Sequence, residues 1–438
     1  MQVTTGASFD LLDLHALDPG RYPFLLESFA PGPQGRFDML FAFPGETIAL
    51  HERHAFDFLQ VLDTRWKAAA AGDGYQGPLP FHGGWFLFLG YELAAQIEPQ
   101  LDLPEDTSAL PVASATRIPA AIIHDHQEGK RWIIAEQQSY ISQIRSDIER
   151  LKPYEPLDLN ASCELYEDPA QPYLEAVERI LDYIREGDVF QVNLSRRWSG
   201  RWPQDASSHS LYRQLRLANP GPFNGLATWG DIAVLSSSPE RLVETRGDRV
   251  QTRPIAGTRP RGDNTDVDRS FSEELMGHPK ERAEHIMLID LERNDVGRIA
   301  IPGSVRVSEL MTLESYATVH HIVSNVEARI RPGVTPGQVI RALFPGGTIT
   351  GCPKIRCMEI IAELEGTGRG AYTGSMGYLN HDGSMDLNIL IRTLVRSGDQ
   401  LQFRAGAGIV SDSIPANELE ETRAKARGML SAIQGRGI

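Results

Sequence analysis

The chain has 438 residues, enough for one large or two ordinary domains, and its 41% hydrophobic and 23% charged residues are typical of a globular protein. Its net charge of −15 argues against binding to nucleic acid or to an anionic membrane surface. The three cysteines have no partner at metal-ligand spacing, so zinc is not expected, and their scarcity fits a reducing cytosol. No signal peptide or membrane-spanning run is recognisable, and we therefore expect a cytoplasmic protein.

Residues 1–152 are expected to form an N-terminal region of strands and short helices. One predicted strand contains FLLES, which ends at Ser28, and another follows in RFDMLFAF. A strand pair at 118–136 is joined by the polar turn DHQEGK. Residues 153–172 contain four prolines and many acidic residues, so we predict a linker between the two regions.

The second predicted region spans residues 173–435. A helix over 173–186 is indicated by its apolar spacing and ends before Gly187, and a hairpin is predicted at Arg246-Gly247-Asp248. Residues 270–300 are expected to be largely helical. In FPGGTITGCPK, glycines surround Thr348 and Thr350 just before a predicted helix near Pro353, a combination that favours an anion.

The stretch 401–430 combines a strand, a glycine pair and a helix. Alternating apolar residues predict a strand over 401–405, and Gly406 and Gly408 allow a ligand to approach the backbone amides closely. The following helix has Asn417 as its predicted N-cap and several acidic residues in its first turn. This segment thus offers amides to a carboxylate and acids to a cation, although an ordinary strand, turn and helix would show the same pattern.

Several strings occur in an order that resembles the chorismate-utilising enzyme family: SSSPERLV, RPIAGTRPRG, AEHIMLIDLERNDVGR, HHIVS, FPGGTITGCPKIRCMEII, TGSMGYL, IRTL and AGAGIVSDS. The resemblance covers residues 170–430, and FLLES and GGWFLFLGYELA extend it to the N-terminal region. It implies an α+β protein with the fold of anthranilate synthase component I. That fold has large, mostly antiparallel β-sheets packed together with helices on the outside.

Within this family the strings RFDM, QVNL, HHIVS, GGTITG and TGSMGYL resemble the aminodeoxychorismate synthases. These enzymes aminate chorismate to 4-amino-4-deoxychorismate for para-aminobenzoate and folate biosynthesis. Ala256 instead resembles the anthranilate synthases, which form anthranilate and pyruvate for tryptophan biosynthesis, so that alternative stays open. A catalytically silent regulatory or binding relative is the alternative of another class, and the intact set of family residues argues against it.

The resemblance implies Mg²⁺ as the cofactor, held by Glu284 and Glu421. Carboxylates and water are the ligands that Mg²⁺ prefers, whereas glutamates on a helix surface are usually only solvated. Glu240 matches the family's general acid/base, and it precedes Ala256 by sixteen positions across the predicted hairpin, so both can face one pocket. His321 matches the family's active-site histidine, although a histidine at a strand end often has a structural role.

Other positions match residues that hold the two carboxylates of chorismate, and these are Thr348, Tyr372, Arg392, Gly406, Gly408 and Lys425. Arginine binds a carboxylate through two hydrogen bonds and lysine adds a point charge, while Lys425 can equally pair with Glu421 on the helix surface. Ser28 matches the pocket that binds tryptophan in anthranilate synthases, and a serine at a strand end without a ligand is the alternative.

The resemblance also implies the reaction partners. Isochorismate and salicylate synthases use a lysine to activate water at the position of Ala256, and a methyl group cannot accept a proton, so ammonia is the expected nucleophile. No glutaminase motif is recognisable in the chain. We therefore expect ammonia to come from solution or from a separate glutamine amidotransferase subunit, component II.

Overall fold

A computed structural model describes residues 2–6, 9–29, 35–69, 77–152, 163–203, 206–262, 264–315 and 319–435. The strands in this part of the chain are Gln2–Thr5 (β1), Phe24–Glu27 (β2), Phe37–Ala42 (β3), Thr47–Leu50 (β4), Gly84–Leu89 (β5), Ala113–Ile118 (β6), Ala120–Asp125 (β7), Lys130–Ala135 (β8), Leu165–Glu167 (β9), Gln191–Arg201 (β10), Phe223–Trp229 (β11), Ile232–Ser238 (β12), Arg241–Arg246 (β13), Arg249–Thr252 (β14), Ile255–Pro260 (β15), Arg306–Ser315 (β16), Val319–Arg329 (β17), Gly351–Cys352 (β18), Ser375–Asn380 (β19), Met385–Asn388 (β20), Thr393–Ser397 (β21) and Gln400–Ile409 (β22).

The α-helices of the described ranges are Leu11–Leu17 (α1), Phe58–Ala69 (α2), Ala94–Ile97 (α3), Gln138–Glu149 (α4), Ala170–Glu186 (α5), Ser208–Ala218 (α6), Thr265–Gly277 (α7), Pro279–Gly297 (α8), Pro336–Leu343 (α9), Lys354–Glu365 (α10) and Pro415–Ile433 (α11). Short 3₁₀ turns occur at Tyr91–Leu93 and Gly347–Ile349. None of the described helices is long and apolar enough to cross a membrane.

Two large antiparallel sheets form the frame of the molecule. The first has the order β1-β8-β7-β3-β2-β11-β12-β21-β22-β10-β18, with β9 also paired to β10, and the second has the order β15-β17-β14-β13-β20-β19-β5-β6-β4, with β16 paired to β17. Strands from before and after the predicted linker hydrogen-bond to one another in both sheets. The predicted α+β fold with antiparallel sheets is confirmed.

An aromatic core lies between the facing surfaces of the two sheets. Phe24 and Phe41 from the first sheet meet Phe86 and Tyr378 from the second, and the Phe24 and Phe86 rings stack with centroids 4.1 Å apart. Buried aromatic side chains contribute both large apolar area and specific packing geometry. This core holds the sheets together and thereby fixes the loops that pass from one sheet to the other.

Helices cover the outer faces of the sheets. Helices α1, α4, α6 and α11 pack on the first sheet, and α2, α8 and α9 pack on the second. Helices α5 and α10 lie against β10 and β22 near the end of the first sheet. Apolar stripes on these helices therefore cover much of the outer sheet faces and complete a layered arrangement.

Several local predictions can now be compared with the structure. The hairpin at Arg246-Gly247-Asp248 is confirmed, because β13 and β14 pair with Arg246 opposite Arg249 and Gly247 has a left-handed φ of +59°. Helix α5 and strand β9 begin inside the predicted linker 153–172, and residues 153–162 of that linker lie outside the described residues. The boundary between the two regions stays a prediction.

Asn417 is not the N-cap of the last helix. Helix α11 begins at Pro415 after the extended residue Ile414, and the Asn417 amide donates to the Ile414 carbonyl inside the first turn. Proline is well suited to the first helical position, because its φ is already helical and the missing N–H has no intrahelical acceptor there. The predicted helical stretch 270–300 contains two helices, because α7 ends at Gly277 and α8 begins at Pro279.

Candidate active site

Two neighbouring loops that pass between the sheets carry the acid and the arginine of the predicted site. Glu240 lies between β12 of the first sheet and β13 of the second, and Arg392 lies between β20 of the second sheet and β21 of the first. The loops are joined by backbone hydrogen bonds, from Ile389 to the Glu240 carbonyl and from Ser237 to the Arg392 carbonyl. Residues about 150 positions apart in sequence are thereby held side by side.

The Glu240 carboxyl is buried and hydrogen-bonded. Thr348, in the 3₁₀ turn, donates from its hydroxyl to Oε1 of Glu240 at 2.8 Å, and the Ile255 backbone amide donates to the same carboxyl group. Because β15 continues the line of β14 along β17, Ile255 and Ala256 lie opposite the start of β13. The proximity of Glu240 to the Ala256 strand, expected from the hairpin, is therefore present in the structure.

Burial raises the pKa of Glu240 to about 8. The negative field of Glu292, itself buried with a pKa raised by burial to about 7, adds to this effect, while the Thr348 hydrogen bond opposes it. Glu292 was not singled out from the sequence, although it lies in the string LERND. Glu240 therefore holds its proton at neutral pH and can act as a general acid.

Arg392 provides positive charge next to this acid. It adopts a left-handed φ of 52°, and burial lowers the pKa of its guanidinium while the charge of Glu240 raises it. Among the described residues, no carboxylate lies within ion-pair distance of the Arg392 guanidinium. Its planar donors are thus available for an anionic ligand.

His321 lies on β17 opposite Thr258 of β15. Burial lowers the pKa of its ring to about 4, and the nearby charge of Arg392 acts in the same direction. The ring hydrogen-bonds to the backbone of Gly257, which has a left-handed φ of +67°. The predicted active-site histidine is therefore a neutral polar group at pH 7 and not a cationic acid.

The glycine pair on β22 exposes backbone groups as the sequence predicted. Gly406 and Gly408 pair with Ser195 and Asn193 of β10, whose amides donate away from β22, to Glu365 and to the Thr350 carbonyl. In an antiparallel pair, when the amide of one residue points away from the partner strand, the amide of the residue opposite it also points away. The N–H groups of Gly406 and Gly408 therefore point to the edge of β22 that lies opposite β10. Strand β21 pairs with β22 only as far as Phe403, and no other described strand pairs with that edge at the glycines.

Both glycines are closely packed, and Gly406 has the firmer constraint because a Cβ there would lie 2.7 Å from the Leu194 backbone carbonyl oxygen. A Cβ on Gly406 would lie 2.7 Å from the Tyr372 hydroxyl, and one on Gly408 would lie 2.5 Å from the Gln191 amide nitrogen. Tyr372 is buried, and burial raises its pKa to about 12, so its hydroxyl remains a hydrogen-bond donor. The structure thus brings Tyr372 and Gly406 into direct proximity.

Lys425 connects the last helix to this strand. Its ammonium group donates to the Gly406 carbonyl at 3.1 Å and pairs with Glu421 at 2.8 Å, so the helix-surface ion pair is present together with the contact to the strand. Lys425 also acts electrostatically on Glu240. Glu418 lies one turn before Glu421. Burial raises the pKa of Tyr173, and the charges of Glu418, Tyr372 and Glu421 act in the same direction.

Glu284 is half-buried on α8, and Glu281 lies one turn before it. Oε1 of Glu281 pairs with Arg259 at 2.8 Å, whereas its buried Oε2 has no hydrogen-bond partner among the described residues. Glu281 was missed by the sequence analysis, but its spacing of three residues from Glu284 on a helix was visible. The carboxylate oxygens on α8 and α11 fit the donor preference of Mg²⁺.

A cavity of about 370 Å³ has a lining that does not include Glu240, Thr348 or Arg392. It is lined by Leu26 and Glu27, next to Ser28, together with a buried cluster in which Arg241 forms two hydrogen bonds with Asp386. The site assignment therefore rests on hydrogen bonds and charge and not on cavity volume. Ser28 is not part of the cavity lining, and the tryptophan pocket stays a prediction.

These features define a candidate site in which a buried protonated carboxyl group lies beside positive charge and hydrogen-bond donors that suit an anion. A family model of chorismate binding enzymes matches residues 24–431. Anthranilate synthase component 1 of Thermus thermophilus is 39% identical over 94% of this chain and 92% of its own length, and aminodeoxychorismate synthase component 1 of Bacillus subtilis is 42% identical over 86% and 82%. The crystal structure of anthranilate synthase component I from Streptococcus pneumoniae superposes with a TM-score of 0.81 at 33% identity, covering 90% of this chain and 92% of that one. The chain belongs to the chorismate-binding enzyme family.

The buried Glu240 predicts a pH-dependent stability difference. The unfolded carboxyl ionises near 4.5 and the folded one near 8, so Glu240 makes the wild type lose stability as pH rises between these values, and Glu240→Gln lacks this contribution. Between about pH 6 and pH 8, the free energy of unfolding of the variant should gain about 2 kcal/mol relative to wild type. Denaturant unfolding at both pH values measures this difference.

The control for this prediction is Glu420→Gln, which changes an exposed glutamate on α11. Its stability relative to wild type should be nearly the same at both pH values. A Glu240→Gln difference that is equally independent of pH would contradict a raised pKa.

Proposed function

We propose that this chain is a synthase component that aminates chorismate with ammonia to 4-amino-4-deoxychorismate, with Mg²⁺ as cofactor. The observation that carries the proposal is the buried Glu240 carboxyl, protonated at neutral pH and hydrogen-bonded to Thr348 beside the cationic Arg392. The amino-group product is supported by the strings RFDM, QVNL, HHIVS, GGTITG and TGSMGYL.

Glu240 can serve both proton transfers that the net reaction requires. It donates its proton to the departing ring hydroxyl, which leaves as water when the C–O bond breaks. Ammonia forms the new C–N bond, and the Glu240 carboxylate then accepts the proton that the nitrogen loses. The carboxyl is thereby restored, and chorismate plus ammonia gives the amino product plus water.

The groups around Glu240 suit the two carboxylates of chorismate. The Arg392 guanidinium offers two parallel donors, and the open amides of Gly406 and Gly408 with the Tyr372 hydroxyl supply further hydrogen bonds. Lys425 adds positive charge at the same edge of β22. Neutral His321 contributes polarity beside Arg392 and Gly257 without adding a second cation.

Glu284 and Glu421 are the proposed Mg²⁺ ligands, and Glu281 offers an additional carboxylate oxygen beside Glu284. When bound, Mg²⁺ would act as a Lewis acid on a substrate carboxylate and make departure of the hydroxyl easier. Glu421 would exchange its contact with Lys425 for this role, which would leave the lysine free to meet the second carboxylate.

Ala256 supports ammonia over water as the nucleophile, because its methyl group cannot remove a proton from water. The same residue favours the second candidate function, anthranilate synthase, since alanine is the residue expected there in those enzymes. Both candidates use ammonia and differ in their product. A silent relative is disfavoured because Glu240, Glu284, Arg392 and Glu421 are all present.

The proposed partner is a glutamine amidotransferase subunit that delivers ammonia to this chain in the cytoplasm. Ammonium predominates over free ammonia at neutral pH, so a site that uses ammonia benefits from direct delivery. Relatives that are named component 1 synthases are consistent with such a division of labour.

We predict the product and the nitrogen source in a single assay. The purified chain with chorismate, Mg²⁺ and ammonium should form mainly 4-amino-4-deoxychorismate, which chromatography resolves from anthranilate and which a lyase converts to 4-aminobenzoate. Glutamine should replace ammonium only after the amidotransferase subunit is added. Glu240→Gln should reduce the rate at least about 100-fold because it removes the acid.

Anthranilate as the main product would contradict the amination product and establish the second candidate. Turnover with glutamine by the chain alone would contradict the proposed partner. Absence of any product in the presence of ammonium and Mg²⁺ would favour the silent relative.

We predict that Glu421→Gln raises the Mg²⁺ concentration needed for half-maximal activity about tenfold or more, because it removes one carboxylate ligand. Calorimetric titration with Mg²⁺ should show the same weakening without catalysis. The matched control is Glu420→Gln, which alters the neighbouring exposed glutamate paired with Arg423 and should leave both values unchanged. Full activity of the wild type in excess chelator would rule out the Mg²⁺ requirement.

A further inference from the structure

A second group of metal-ligand side chains lies on the outer face of the first sheet, far in sequence from the glutamates of the active site. Asp38 on β3 stands opposite His124 on β7, and His126 lies two positions later, in the turn that follows β7. One ligand atom from each residue lies within 4.8 Å of the other two. Strand pairing therefore brings together two imidazoles and one carboxylate.

We propose that Asp38, His124 and His126 form a binding site for a divalent transition-metal ion of the zinc class. Imidazole and carboxylate ligands together suit Zn²⁺, whereas Mg²⁺ prefers oxygen ligands. This preference separates the proposed site from the pair Glu284 and Glu421. The cysteine spacing gave no reason to expect zinc, because none of the three donors is a cysteine and two strands must pair to assemble them.

The distances are compatible with a shared ion. Oδ2 of Asp38 lies 2.7 Å from Nε2 of His126 and 3.7 Å from Nδ1 of His124. A tetrahedral zinc ion with bonds of about 2.0–2.1 Å separates its donors by roughly 3.3 Å, a value between these two distances. Small rotations of the imidazoles, whose centroids are 4.2 Å apart, would bring the donors to that spacing.

The surroundings orient Asp38 and leave His126 partly exposed. Oδ1 of Asp38 accepts the Ser28 amide at 2.9 Å, so Asp38 is oriented and its Oδ2 points to the histidines. Asp38 is almost fully buried in the sheet, whereas the His126 side chain is 38% exposed. Donors on adjacent strands of a large sheet are rigidly held, and the exposed side gives access for the ion and for a water ligand.

A nearby cation can compete with a metal ion for Asp38. Arg131 stands opposite His124 on β8, and its charge acts on Asp38. Its guanidinium lies 5.2 Å from the ring centroid of Phe9, however, and the Asp38 oxygens are occupied by Ser28 and His126. The negative charge of the buried Glu27 carboxylate acts on His126 in the direction opposite to the positive charge of Arg131.

Titration of the chelator-washed full chain with Zn²⁺ tests the proposal, in an excess of Mg²⁺ that occupies the glutamate site. One zinc ion per chain should bind by calorimetry, and it should remain bound through gel filtration. His124→Ala and His126→Ala should each weaken binding at least about tenfold. Co²⁺ used in place of Zn²⁺ should give the visible absorption of a tetrahedral ion in the wild type and lose it in both variants.

Two controls keep the result specific. His54→Ala removes an exposed histidine elsewhere and should leave Zn²⁺ affinity unchanged, and Glu421→Gln should leave it unchanged because the two sites are separate. His126 is the most exposed donor, so its variant tests the site even if a substitution at Asp38 disturbs folding. Failure of the wild type to bind zinc, or wild-type zinc affinity in both His124→Ala and His126→Ala, would overturn the proposal.

Discussion

A carboxyl group that is sealed from water must hold its proton or be matched by positive charge, and this requirement at Glu240 organises the candidate active site. Desolvation keeps the carboxyl neutral, Thr348 and the Ile255 amide orient it, and the field of Glu292 opposes its ionisation. All of these contacts depend on the two sheets being packed through their aromatic core. Removing the burial would turn a proton donor at neutral pH into an ordinary surface glutamate.

The positively charged side of the site depends on the same architecture. Arg392 lies in the loop next to Glu240, and the hydrogen bonds between these loops fix both residues without consuming the guanidinium. Strand β22 ends its pairing with β21 before the glycine pair, which leaves backbone donors at Gly406 and Gly408. Positive charge and backbone donors are thereby placed close to Glu240 within an acidic protein of net charge −15.

The resemblance carried by long ordered strings was sufficient to predict the antiparallel fold and to single out Glu240, Thr348 and Arg392 as candidate site residues. It could not show that two loops between the sheets place Glu240 and Arg392 together, since that depends on pairings between strands about 150 residues apart. The predicted cap at Asn417 was wrong because the preceding Pro415 starts the helix earlier.

Burial was the other quantity that the sequence did not reveal. Glu292 and Glu281 occur in helical stretches rich in charged residues, and only the structure shows that their carboxyl oxygens are enclosed. The same applies to Asp38, which lies in an otherwise apolar strand and meets His124 only through the pairing of β3 with β7.

The protonation state of Glu240 is the central claim, and infrared spectroscopy measures it directly. The difference spectrum between wild type and Glu240→Gln at neutral pH should contain the carbonyl stretch of one neutral carboxyl group. That band should disappear as pH rises through about 8. A difference spectrum that shows only an ionised carboxylate at neutral pH would contradict the account, because Glu240 could not then donate a proton to the leaving hydroxyl.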